Sequence, residues 1–336
     1  MIDDVQVPGY SISEIPPVLQ KWAVIEDSVI DVTIDNAAAT ATKIKESGLL
    51  FKRYLPNLFN YATEIHRFNW EAYGKLYSEL LKNNYELEVL NKEFYQYLQR
   101  AEIIPLDHDK KKQPKRSLHY YLNEFKEDSP ALAVKNDDLE KLIYFSANSD
   151  IFKQKIKWRT YHQTYLDLAA FCGSPKCFKY LLTNGNNATH NTFVYAIEGG
   201  NTEIIDLLRQ ANFQIDTHSV VPALQSHRMT LVKWIMDNAP FDVCEECIKW
   251  SIYNYSTCFY FSEICRFSRG SFPDLTESCL DAALEVGSGG VILSILCSTK
   301  SVNPPSEERY KKILSYALEC KDDAILSRLK ELGISQ

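Results

Sequence analysis

The chain has 336 residues, 45% of them apolar and 24% charged, enough to bury one extended core or two compact ones. Its 37 Lys and Arg are outnumbered by 44 Asp and Glu, and the net charge of −7 argues against a surface built to neutralise phosphates, so no nucleic-acid partner is expected. The opening "MIDDVQVPGYS" is acidic and polar, no 18 apolar residues follow one another, and the nine cysteines are odd in number and all lie beyond residue 171. These features predict a cytoplasmic chain with reduced thiols, no signal peptide and no membrane partner.

Residues 1–21 carry Pro8, Pro16 and Pro17 with little periodicity and read as an extended arm. An N-terminal helical segment is expected over 22–104. Within it, 22–52 mixes β-branched residues with the alanine run at 37–39 and is assigned a helix. The stretch 57–100 reads as two helices with a wide apolar stripe of Phe59, Ile65, Phe68, Trp70, Tyr73, Leu76 and Leu80. The plain interpretation of that stripe is a helical cap over the open end of a repeat array, and the sharper one an aromatic binding groove. Residues 105–127 form a basic linker and a short helix. There Lys110, Lys111, Lys112, Lys115 and Arg116 resemble a short basic import signal or a contact for an acidic surface, while the favoured reading is a solvated linker broken by Pro114.

From 128 to 336 one pattern recurs. With Gly200 as position zero, equivalents stand at Asp137, Gly173, His227, Tyr255, Gly287 and Lys321, 27 to 36 residues apart. Four places earlier the residue is always small: Ala133, Ala169, Ala196, Ala223, Ser251, Ala283 and Ala317. Five places later stand Leu142, Phe178, Ile205, Val232, Tyr260, Ile292 and Leu326, and eight later Phe145, Leu181, Leu208, Ile235, Glu263, Ile295 and Leu329. The physics that asks for these columns is a pair of short antiparallel helices stacked on another such pair. The small residue lets neighbouring helices approach, the zero position turns the chain, and the apolar residues three apart share one face of the second helix.

The motif "TYLDLAAFCGSPKCFKYLLTNG", with Leu166, Ala169, Ala170, Gly173, Leu181, Leu182 and Gly185, resembles the ankyrin repeat. The Thr-Pro-Leu-His opening of that family is missing, and the middle repeats are short. In both respects the chain resembles degenerate ankyrin-related proteins of uncharacterised function found in protists. The resemblance implies an all-α fold: an ankyrin-like helical solenoid of about seven repeats with an N-terminal helical cap, and a protein-binding role. Its exposed face would carry the residues just before each turn, among them Lys135, Asn136, Phe171, Glu198, Gln225, Tyr253, Asn254 and Glu285, with Phe171 and Tyr253 as aromatic anchors. The expected function is a non-catalytic protein-binding scaffold whose partner and oligomeric state stay open. The alternative is a permanent structural subunit of a large intracellular assembly, cytoskeletal or axonemal, with the nucleus the weaker alternative location.

Enzymatic signals are weak. Cys244, Cys247, Cys258 and Cys265 offer four thiolates, but their spacing suits buried small residues better than a zinc site. "GSGG" at 287–290 follows a predicted helix and lacks the Lys-Ser/Thr of a phosphate loop. A hidden hydrolase or transferase would need a pocket near His66, Glu64 and Glu71. No enzyme activity, metal or cofactor is expected.

Overall fold

The computed structural model describes residues 17–48, 53–109, 111–158, 161–216, 219–238, 245–260, 275–298 and 305–334. The fold is mostly helical, at 68%, with one two-stranded sheet. It separates into two compact units. Among the described residues, one holds 116–238 and the other combines 17–115 with 245–334. The second unit is therefore discontinuous in sequence.

The repeat columns have one local cause. All seven zero positions take a left-handed backbone, with φ between 51° at Asp137 and His227 and 79° at Gly287. In six of them the next amide reaches back five residues to the carbonyl of the small residue: Asp138 to Ala133, Ser174 to Ala169, Arg228 to Ala223, Ser256 to Ser251, Ser288 to Ala283 and Asp322 to Ala317, at 2.8 to 2.9 Å. This closes a helix with the bond pair that satisfies its last carbonyls. At Gly200 a single bond from its own amide to Ala196 O does the work. The seven small residues are all buried, at 3% exposure or less.

In the 116–238 unit four helix pairs follow one another: Pro130–Lys135 with Leu139–Asn148, Tyr165–Cys172 with Pro175–Thr183, His190–Gly199 with Thr202–Gln210, and Val220–Gln225 with Met229–Asn238. The first helices stack in that order, each on the next. Side chains tie neighbouring pairs together. Asp137 accepts from the amide of Cys177 at 2.9 Å, capping the second helix of the following pair, and the buried Asp167 accepts from the Thr192 hydroxyl at 2.6 Å. Gly199 lies so close to the preceding pair that a Cβ there would sit 2.5 Å from Ala170 O. Between the first two pairs an antiparallel hairpin joins Lys155–Trp158 to Tyr161–Thr164. The sequence reading held no strand here. The 36-residue spacing from Asp137 to Gly173 leaves room for it, and the buried Trp158 anchors it to the helices.

In the other unit Glu245–Tyr253 packs on Leu275–Val286, which packs on Glu307–Cys320, while Gly289–Ser298 packs on Asp323–Glu331. The fifth repeat, poorest in sequence, still turns at Tyr255 with its Ser251 wholly buried. Its Glu263 lies outside the described residues. The N-terminal segment folds onto these late pairs: Pro17–Ile30 touches Gly289–Ser298, and Tyr54–Ile65 touches Leu275–Val286.

Several expected boundaries differ. Pro17 to Lys21, expected in the arm, are helical, and the rest of the expected arm, residues 1–16, lies outside the described residues. The single helix expected over 22–52 is two, Pro17–Ile30 and Ala37–Glu46, broken where Thr33 and Asn36 bond each other's amides. The two helices expected over 57–100 are three, Tyr54–Ile65, Trp70–Lys82 and Lys92–Arg100. Asn60 braces the last break: its side-chain oxygen accepts from Leu90 N and its amide donates to Glu88 O, both at 2.8 Å, within the non-helical stretch 85–91. Most of the aromatic stripe fills the core, while Ile65 and Phe68 stay partly exposed. Phe59, Trp70 and Tyr73 are at most 2% exposed, and Phe94 meets Phe59 and Trp70 edge-on at 5.7 and 5.5 Å. Those rings thus line no open groove.

Candidate functional site

The residues nominated for a binding face divide between the units, five in 116–238 and three in the other. Lys135 is half-buried and turned inward, its ammonium donating to Leu122 O at 3.1 Å and Asn123 Oδ1 at 2.9 Å. Burial pulls its pKa below the usual lysine value. Asn136 is exposed. Phe171 is half-buried with its ring 4.6 Å from that of Trp158, so the hairpin of the same chain already occupies one side of this anchor. Trp158 is held in turn by its indole N–H, which donates to Glu124 at 2.7 Å. Glu198 and Gln225 are half-exposed, and the Glu198 carbonyl accepts from Arg228 at 3.1 Å.

In the other unit Tyr253 is half-exposed and donates to the exposed Glu285 at 2.8 Å. Desolvation, and then that hydrogen bond to a carboxylate, push the phenol up to about 12. Lys249 lies 5.8 Å from the Tyr253 ring. Asn254 is only 6% exposed and donates to Trp250 O, which makes it a helix-end brace with little surface to offer. Lys111, Lys112, Lys115 and Arg116 are exposed, Lys112 lies 3.8 Å from Asp107, and Arg116 covers the Tyr120 ring at 4.0 Å. Lys110 lies outside the described residues. The change from one unit to the other falls between Lys115 and Arg116, within this basic run.

The described thiols of the candidate zinc set and its neighbour are core. Cys247, Cys258 and Cys279 are at most 7% exposed, Cys244 and Cys265 lie outside the described residues, and among the described residues no three metal-ligating side chains converge. Gly289 and Gly290 owe their identity to the N-terminal segment, because a Cβ at Gly290 would come within 2.7 Å of the Trp22 ring. Glu64 and Glu71 are exposed. A cleft of about 290 Å³ in the 116–238 unit is lined by His119, Glu127, Ser129, Asn136 and Lys141 among others, with His119 Nδ1 3.4 Å from Glu127. Sequence spacing gave no hint of it, since its walls come from the 118–123 helix and the first repeat.

Sequence reasoning also missed Glu26. Its side chain is 1% exposed, although the residue sits in "WAVIEDSVI" among ordinary helix formers. One carboxyl oxygen accepts from the hydroxyls of Tyr54 and Thr257, and the other accepts the Thr257 amide at 3.0 Å. Tyr54 in turn meets Trp22 edge-on at 4.8 Å and Tyr255 at 5.5 Å. Burial outweighs these three donors and raises the carboxyl to about 8. The signal was available: Trp22, Ile25, Glu26, Val29 and Ile30 share one helical face, so the carboxyl sits where the core must be.

Residues 183–262 match the model of a family described as a domain of unknown function (DUF3447), a stretch that includes the turns at Gly200, His227 and Tyr255. No curated protein and no solved structure matches the chain. No helix among the described residues is long and apolar enough to cross a membrane.

Proposed function

We propose that the chain is a non-catalytic protein-binding scaffold built from ankyrin-like helix pairs, with its partner held by the residues that precede the turns. The observation that carries this reading is the sevenfold recurrence of one helix–turn–helix unit with a buried small residue and a left-handed turn. Such a unit cannot cover its own apolar face, so stacking builds a core while leaving a periodic row of side chains for contact. In the 116–238 unit that row includes Asn136, Glu198 and Gln225, each at least partly exposed.

The experiment is site-resolved. A photo-crosslinking residue is placed at Asn136, Glu198 or Gln225 in the full chain, and at the exposed Lys179 and Glu203 on second helices as controls. In extract of the cell that makes the protein, the first set should crosslink one common protein and the controls should not. Equal yields from both sets, or no protein adduct from any site, would overturn the reading.

A further inference from the structure

We propose that Glu26 is a proton-operated latch that fastens the N-terminal helical segment to the late helix pairs, closed with the carboxyl neutral and loosened as it ionises. The geometry supplies both halves of such a device. Glu26 stands on Pro17–Ile30, while its partners come from Tyr54–Ile65 and from Thr257, 231 residues away in sequence. Thr257 lies two residues beyond the turn at Tyr255, so the carboxyl ties the first helix directly to the fifth repeat. Both hydroxyls beside the first oxygen can donate or accept, so the neutral carboxyl keeps every hydrogen bond. The ionised form keeps them as well but is buried with uncharged partners only.

The groups facing it do not titrate in competition. Burial pushes Tyr54, Tyr61, Tyr255 and Tyr316 above their usual phenolic value, and Asp27 next to Glu26 adds a repulsion that raises the carboxyl further. On Ala37–Glu46, Lys43 is exposed and bonded to Ser28 at 3.4 Å. Gly289–Ser298 presents glycines to Trp22, Asp322 caps Asp323–Glu331, and Arg53 lies against Gly287. The carboxyl is raised from 4.5 to about 8, so the closed state holds a proton that the open state releases. Closure is then strongest below the open-state value, weakens through the interval between the two, and is weakest above about 8.

The test is hydrogen–deuterium exchange on the full chain from pH 5 to 9, with labelling times scaled for intrinsic exchange, read on residues 20–30 and 257–260. The opening constant of these segments should rise by up to about tenfold per pH unit between pH 5 and 8 and then level off. Glu26→Gln should abolish that slope. Tyr54→Phe, which removes a donor to the ionised form, should move the levelling point to higher pH, and it serves as the second variant if Glu26→Gln does not fold. Exchange in these segments that does not vary with pH, a slope that survives in Glu26→Gln, or an unmoved levelling point in Tyr54→Phe would overturn the latch.

Discussion

Replacing Gly199 by alanine tests the stacking of the helix pairs most directly, because two effects of opposite sign compete there. Gly199 is the last residue of a helix, and helix propensity alone would favour alanine by up to about 1 kcal/mol. Against this, the new Cβ would lie 2.5 Å from Ala170 O, 2.6 Å from Phe171 O and 3.0 Å from Phe171 C. All three are backbone atoms at the end of the neighbouring helix and cannot rotate away. The helices must part by several tenths of an ångström, at an overpacking cost of about 1–3 kcal/mol, and adjoining contacts loosen as they do. A net loss of about 1–2 kcal/mol is expected, confined to the 116–238 unit. Two units need not unfold as one, so a single global midpoint would blur the effect. Exchange protection of the amides in 165–172 and 190–199 reads it locally, with 275–298 as the internal control. If protection there is unchanged or increased, the close approach does not hold the stack together and the packing argument fails.

Leucine in place of Ala196 or Ala223, both wholly buried at the same column, should cost about 1–3 kcal/mol in urea denaturation, and neutral behaviour at both would contradict the column. Lys321→Gly should stabilise: the residue is exposed with φ 54°, so relief of left-handed strain is worth about 1 kcal/mol and should raise the melting temperature. Asp137→Ala removes the cap on Cys177 N while leaving φ at 51°, and a loss of about 1–2 kcal/mol should appear as faster exchange in 175–183. In alkylation mapped by mass spectrometry at pH 8, the exposed Cys297 should label readily. Cys177, whose thiol burial pushes up to about 12, should stay unlabelled until the protein is denatured.

Sequence alone located all seven turns, because a small residue, a turn and an apolar pair three apart are short-range requirements written within about a dozen neighbouring residues. It did so even where the turn residue is Asp137, His227, Tyr255 or Lys321, since the surrounding columns carry the pattern when glycine does not. The helical class and the buried thiols of the fifth and sixth repeats were legible for the same reason. What tertiary structure decided depends on partners far apart in the chain. Trp22 meeting Gly290 and Glu26 meeting Thr257 each join segments whose spacing no periodicity can encode. Hence the N-terminal helices were legible as helices, while their place on the late pairs, the division into two units and the partners of the buried Glu26 carboxyl were not. A helix declares its apolar face locally, but which surface covers that face is settled only by the three-dimensional competition among all such faces.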